Sequence, residues 1–571
     1  MSNSLLSPAS RIDTIDRLAT NDYDVLVIGG GITGAGAALD ATSRGLTVAL
    51  VEMRDYASGT SSRSGKLIHG GLRYLEQLNF RLVREALKER RLLLDSLAPH
   101  LIKPIRFIYP LRHRIWERAY MGAGLILYDT MGGAGAVPRH RHLSYKAVRE
   151  LAPGIKADHL IGALTFYDAQ VDDSRHTVEV VRTAAGRGAD VASAVKVTGL
   201  TKAGTTITGA TVKDLETGRE FTISAKQVVN CAGVWTDGLQ AMAGGTPSFT
   251  IKASKGVHIM VPREKISSQV SLFLTAEDSV LFVRTWGRHW LIGTTDTPWD
   301  NALEHPSATS EDIDYILRNL NRILEVPLTV DDIDGVFVGL RPLVKGREGA
   351  TSKLSREHSI ESTVPGFTSI AGGKYTTYRI MAQDVIDAAV RGLPGTVPAS
   401  KTETIPTIGA VGYTNLRDQR TLLAKNSGLS LTQIDHLLGR YGSLTTDLLD
   451  TIADRPELGA PIPGATDYLL VEALYAVTHE GALHLDDILA RRTHIAIETV
   501  DRGIEAAHAI APLVGAALGW DENRASAETG FYLERVAAEI ASEKLPDEVS
   551  AAAARNLARD PRLRVADGGP V

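Results

Sequence analysis

The chain has 571 residues, 44% of them hydrophobic, more length and apolar content than one core uses, so two or more folded domains are expected and wholesale disorder is excluded. A net charge of -5, with no aromatic-basic repeat, removes nucleic acid as a main partner. The single cysteine, Cys231, can form neither an intrachain disulfide nor a cysteine-rich metal site and fits a reducing compartment.

Residues 1–21 mix charge and polarity, lack the apolar block of a secretory signal, and are expected to form a flexible lead-in. The first structural signal is YDVLVIGGGITGAGAALDATSRGLTVALVEMRD, residues 23–55. Val25 to Ile28 read as a buried strand, the glycines as a turn, Ala35 to Ser43 as a helix and Val48 to Val51 as a second strand, which together make a β-α-β unit. Gly29, Gly31 and Gly34 fit G-x-G-x-x-G: a tight turn, a close approach to a pyrophosphate, and a close helix-strand contact. Glu52 ends the second strand, where a carboxylate can accept from ribose hydroxyls. A glycine-rich turn alone also serves plain structural ends. Here strand, helix, second strand and acid coincide, and dinucleotide binding is the expectation.

The same fingerprint serves NAD and FAD. After Glu52 the chain enters SSRSGKLIHGGLRYLE, residues 61–76, instead of continuing a regular strand-helix alternation. Residues 81–118 then carry Arg81, Arg84, Lys88, Arg90, Arg91, Lys103, Arg106, Arg112, Arg114 and Arg118 against Glu85, Glu89, Asp95 and Glu117. The apolar AYMGAGLILY that follows, 119–128, stops at Asp129 and is too short to span a bilayer. A basic run beside apolar and aromatic residues is the composition of an interfacial anchor; an amphipathic helix with a solvated charged face is the plain alternative.

Further on, QVVNCAGVWTD (227–237) and TSIAGGKYTTYRIMAQDVIDAAV (368–390) give strands ending in Ala232-Gly233 and Gly372-Gly373, where a ligand can come close. Cofactor segments at about 22–80, 160–235 and 335–392, with an antiparallel sheet from 191–226 and 251–300 threaded between them, suit a long cofactor such as FAD. Residues 393–410 read as a linker, 411–550 as a helical domain and 551–571 as a disordered tail. HEGALH (479–484) misses the zinc spacing and RHRH (139–142) reads as a basic loop, so no metal is expected.

GGGITGAG, TSSRSGKLIHGGLRYLE, VDDSR, SKGVHIMVP, LIGTTDT, GLRPL and GGKYTTYR, in this order, resemble FAD-dependent glycerol-3-phosphate dehydrogenase of the aerobic respiratory type, over about residues 22–390. The resemblance implies an α/β fold: a glutathione-reductase-type FAD-binding domain, an antiparallel-sheet substrate domain and an all-α C-terminal domain. It implies non-covalent FAD, oxidation of sn-glycerol 3-phosphate to dihydroxyacetone phosphate, and electron transfer through flavin to membrane quinone. The basic run at 81–118 motivates the further expectation of peripheral attachment to an anionic membrane surface, at the cytoplasmic face of the inner membrane, and a homodimer stays open. The FAD residues it marks are Gly29, Gly31, Gly34, Glu52, Ser62, Lys66, His69, Gly70, Gly71, Ala232, Gly233, Gly372, Gly373, Lys374 and Thr376. Two positions depart from the family pattern. Ser64-Gly65 stands where Ser-Ser is usual, and Tyr375 stands where Leu is common.

A phosphate substrate calls for guanidinium groups, which grip it through paired hydrogen bonds. Arg73 is the first candidate; by resemblance Arg341 in GLRPL and Arg356 in KLSREH join it, and Tyr74 adds a hydroxyl donor. Arg341 follows the apolar VFVGL, so its charge near a core needs a partner. Oxidising a secondary alcohol needs a base for the hydroxyl proton, and His258 in KGVHIMV is preferred, although a strand histidine is more often structural. Lys255 and Lys374 are placed to lower its pKa or hold a developing alkoxide, and Lys374 also to face the flavin. Competing readings are an oxidase passing electrons to oxygen, an amine-oxidising flavoenzyme of the same fold, and a flavin-bearing membrane sensor.

Overall fold

A computed structural model describes residues 4–71, 79–113, 116–132, 137–275, 280–346 and 358–562. Its first sheet has strand order 358–364, 367–372, 220–230, 22–28, 48–51, 190–192, parallel at the centre, with Leu26 opposite Val228 on one side and Ala49 on the other. Both faces of the central strand are covered, which explains its unbroken apolar run. Val25 and Val27 pack against helices Ile32–Ser43, Asp173–Ala185 and Tyr378–Ala389; Leu26 and Ile28 pack on the other side.

Three assignments change here. The 195–203 and 206–214 strands, read as substrate-domain sheet, branch from the 220–230 strand of this first sheet. Conversely, Gly162–Gln170 and Gly335–Gly346, placed in cofactor segments, belong to the second sheet. Within the expected lead-in 1–21, residues 4–21 are not loose: Pro8–Thr20 is a helix capped by Ser7, with Thr14, Ile15 and Leu18 buried and Arg11 paired to Asp214 at 2.6 Å. The short sequence of mixed charge hid an apolar face of only two large residues.

The second sheet runs 297–299, 249–262, 289–293, 280–286, 271–275, 103–111, 162–170, 67–68, with 335–346 along the other side of the 249–262 strand. Val257, Ile259, Val261 and Val283 point away from the cofactor and pack on helix Ser310–Asn321. The alternate residues, Gly256 and His258 among them, face the cofactor side.

From Tyr413 to Arg555 the chain is helical apart from a two-stranded ribbon at 461–469. Packing adds to one expectation and overturns another. The linker 393–410 is docked, with Thr407 donating to Leu97 O and Ile408 N–H to Thr183. The tail from 551 completes helix Glu548–Arg555 and continues to a buried Arg562 paired with Asp487; residues 563–571 lie outside the described residues. Among the described residues no helix is long and apolar enough to cross a membrane.

Candidate active site

A cavity of about 660 Å³ lies between the two sheets. Its wall runs from Glu52, Met53, Leu239 and Met242, past the 29–34 turn, to Phe282 and His258. Gly29 has φ 114°, and a Cβ there would stand 2.6 Å from Cys231 O; a Cβ at Gly34 would stand 1.9 Å from Gly29 O. Both positions therefore demand glycine, the first for the turn and the second for helix-strand packing behind it. Glu52 accepts from Gly30 N–H at 2.7 Å and from Arg54 N–H at 2.9 Å, while burial raises its pKa.

Gly29, Gly31, Glu52, His69, Gly71, Ala232, Gly233, Gly372, Gly373, Lys374 and Thr376 line the cavity. Ser62, Lys66 and Gly70 do not. Lys66 is a buried strut, its ammonium 2.5 Å from Asp173 and 3.1 Å from Ser62 O. The serine that meets the glycine turn is Ser61, accepting from Ile32 N–H at 2.9 Å. Gly70 N–H donates instead to Tyr128 Oη, which donates to Asp168 at 2.6 Å; Arg90 closes this buried knot on Asp168. Asp168 and Ser61 line the cavity, and neither was singled out in the sequence. Thr376 ties to His69, donating to its carbonyl and accepting from its N–H. Tyr375, the departure from Leu, sends its hydroxyl to Asp173 O at 2.8 Å and reaches His176 and Thr177.

His258 stands opposite Gly293 and Phe337 in neighbouring strands and is 4% exposed. Its ring stacks on Phe337 at 4.7 Å and 6°. A Cβ at Gly293 would come within 2.2 Å of the ring, whereas one at Gly65, the other departure, would be 3.8 Å from Nε2. Burial, then Arg284, Arg341 and Lys66, hold its pKa well below the usual imidazole range. The ring is neutral at pH 7 and able to accept a proton.

Arg341 lies at the rim, donating to Asp296 at 3.2 Å, Thr294 at 3.1 Å and the carbonyls of Lys255 and Thr295. Lys255 itself is on the wrong face. Three residues from His258 in a strand, it points to the opposite side and pairs with Asp312 at 2.5 Å and with Glu548. Lys374 heads the turn into helix Tyr378–Ala389 on the cavity wall. Arg73, Tyr74 and Arg356 lie outside the described residues. Arg284, unmarked in VLFVRTW, lines the cavity.

Residues 24–379 match the family model of FAD dependent oxidoreductases, and residues 400–525 that of the C-terminal domain of alpha-glycerophosphate oxidase. Glycerol-3-phosphate dehydrogenase 2 of Mycobacterium tuberculosis is 51% identical over 566 residues, 99% of this chain and 97% of that protein. The chain belongs to the FAD-dependent glycerol-3-phosphate dehydrogenase family. The human mitochondrial glycerol-3-phosphate dehydrogenase is 35% identical over 525 residues, covering 88% of this chain and 71% of its own length. The glycerol-3-phosphate dehydrogenase of Bacillus halodurans, solved with FAD, superposes with a TM-score of 0.78 at 29% identity, over 93% of this chain and 98% of that one. The cofactor is thus FAD, and the glycine turn, the half-buried Glu52 and the length of the cavity fit it.

Proposed function

We propose that the protein oxidises sn-glycerol 3-phosphate to dihydroxyacetone phosphate. The observation that carries this reading is a neutral, buried His258 on the wall of the FAD cavity, with Arg341 at the rim of the same wall. FAD, when bound, supplies the hydride acceptor. His258 accepts the hydroxyl proton at Nε2, the nitrogen on the Gly65 side of the cavity. Arg341 exchanges its carbonyl and Asp296 contacts for the substrate phosphate, joined by Arg73, Tyr74 and Arg356. Lys374 adds positive charge beside the ring.

We extend the reading to quinone as electron acceptor in glycerol catabolism, at the cytoplasmic face of the inner membrane. Two surface features support it: exposed Trp116, Tyr120, Ile126 and Leu127 on helix Trp116–Met131, and exposed Arg81, Arg84 and Arg112 nearby. The match of residues 400–525 to a domain named for an oxidase keeps oxygen as a second acceptor to be tested.

The test is an anaerobic titration of the purified protein. Bleaching of the flavin band by glycerol 3-phosphate, with no change on adding plain glycerol, is the expected result; a band that glycerol 3-phosphate leaves intact overturns the substrate assignment. Reoxidation by a short-chain quinone much faster than by air, with little hydrogen peroxide, identifies the dehydrogenase.

A further inference from the structure

The strand Val280–Trp286 sends Leu281 and Val283 into the core behind the sheet. Phe282 and Arg284 share the opposite face, on the cavity wall. Arg284 is 1% exposed, and its Nε and Nη1 are buried without a hydrogen-bond partner. Burial lowers its pKa to about 9, opposed by Asp173, so the group is still charged at neutral pH. Asp173 is already committed: it binds Lys66 Nζ at 2.5 Å, the Ser64 hydroxyl and N–H, and Ser174 N–H. Two cations and one carboxylate therefore leave this part of the wall with an uncompensated positive charge. A buried charge in that condition calls for an anion.

The group held by Arg341 cannot be that anion. Arg341 is opposite Ser254, whereas Arg284 lies in the rung of Leu291 and Met260, on the far side of His258. Six residues along the strand separate the two backbone rungs; the Arg341 guanidinium reaches back to the rung of Gly256, which still leaves four residues, roughly 13 Å at the usual strand rise. His258 stands between them.

We infer that Arg284 is a second anion-holding residue of the reaction cavity, receiving negatively charged oxygen either from the FAD ring when it takes up electrons or from the end of the substrate remote from its phosphate. The first source rests on FAD alone; the second rests also on the glycerol 3-phosphate reading.

The full-length holoenzyme is compared with Arg284→Met, Arg284→Gln and Arg284→Lys, using two probes that need no turnover. Sulfite adds to the oxidised ring and leaves it negatively charged, so its Kd reads positive potential over the cofactor. Inorganic phosphate and 2-phosphoglycolate, followed by perturbation of the flavin band, read the substrate side. If the ring is the source, the sulfite Kd rises roughly tenfold or more in Met and Gln and returns towards the parent value in Lys. If the substrate is the source, sulfite is unchanged and the Kd of 2-phosphoglycolate, anionic at both ends, rises by a similar factor while that of inorganic phosphate does not. Variants that keep their FAD and melting temperature with every Kd within twofold of the parent overturn the inference. Should Met fail to retain FAD, equal sulfite and 2-phosphoglycolate constants in Gln and Lys overturn it as well. A wrong substrate assignment shows separately, as no bleaching of the parent by glycerol 3-phosphate, and leaves the sulfite arm intact.

Discussion

Gly293 has no side chain because the imidazole of His258 fills the space one would need, 2.2 Å from where a Cβ would stand. That contact, with the Phe337 stack on another side, fixes the ring without a hydrogen bond to Nδ1. Gly293→Ala should therefore act like a catalytic lesion. We expect kcat to fall by about 100-fold or more in both Gly293→Ala and His258→Asn, with the flavin spectrum retained, because general-base help of this kind is worth that much. Full activity in His258→Asn would dismiss the base. The depressed pKa of His258 also has a sign. Its neutral form persists as pH falls through 6.5, so kcat/KM should stay level there and decline only as the substrate phosphate protonates near about pH 6. That His258, Arg341 and the glycine turn reach one cavity was legible because each sits in a short local pattern whose alternation or spacing carries the meaning. Asp168, Ser61 and Arg284 were not: Asp168 is defined by Arg90, 78 positions away, and Ser61 by Ile32, 29 away. No local pattern marks a partner that only the fold supplies. The same alternation, applied strictly, excludes Lys255 from the side of His258.

At the scale of elements, the parallel strands and the helical carboxyl region follow from their patterns, but the ownership of Gly162–Gln170 and Gly335–Gly346 does not. Strands buried on both faces read alike in either sheet. What joins the helical region to the cofactor domain is also invisible in sequence. Asp55, three residues beyond Glu52, accepts from Arg491 Nε at 2.5 Å and from both terminal nitrogens of Arg492 at 2.7 and 2.8 Å, all three residues being buried. Asp55→Asn takes from Arg492 the carboxylate it pairs with, while Arg491 keeps Asp486 and Asp487, and breaking a buried pair costs about 3 to 5 kcal/mol. The expected result is a clearly lower melting temperature and easier FAD release; an unchanged melting curve would mean the clamp is redundant. A second joint is His484, between Glu216 of the cofactor domain and Glu528 of helix Glu522–Ser542. Burial alone would lower its pKa, but Glu528 and Glu216 outweigh it and push it up to about 10. A raised folded pKa gives stability that is complete below the unfolded value near about 6.5 and is lost as pH climbs through about 10. The melting temperature of the parent should exceed that of His484→Gln most at pH 6, with the gap closing towards pH 10. A gap that grows with pH would contradict a charged His484.

For the molecule as a whole, the proposed membrane attachment requires a surface suited to lipid. Trp116, Tyr120, Ile126 and Leu127 are 62%, 56%, 54% and 38% exposed on one helix, and scattered single apolar residues would need no explanation while a grouped set does. Trp116, Tyr120 and Leu127 are spaced for one face of a helix with Ile126 on its flank, while Leu125 and Tyr128 turn inward to the core. Not every charge of the preceding basic run serves a surface. Arg90 is buried on Asp168, Lys88 pairs with Glu403 and Arg91 with Asp95; of the exposed cations that remain, Lys103 lies at the far end of strand Lys103–Leu111 from Arg112, which leaves Arg81, Arg84 and Arg112 as the contribution on this side among those described. The binding is thus expected to be mainly apolar, with a modest electrostatic share of about 1 kcal/mol per exposed cation. Flotation with anionic vesicles separates the two terms. Replacing Trp116, Tyr120 and Ile126 together by Ser should reduce partitioning at every salt concentration, by about tenfold for each side chain that is fully buried in lipid. Replacing Arg81, Arg84 and Arg112 by Ser should matter at low salt and fade at high salt, where charges are screened. Activity offers the independent readout. If quinone is drawn from the bilayer, the apolar variant should lose turnover with a lipophilic quinone in vesicles yet keep it with a soluble dye, because the stripe touches neither His258 nor FAD. Equal loss with both acceptors would place the fault in folding, and no loss with either would remove this helix from the path to the membrane.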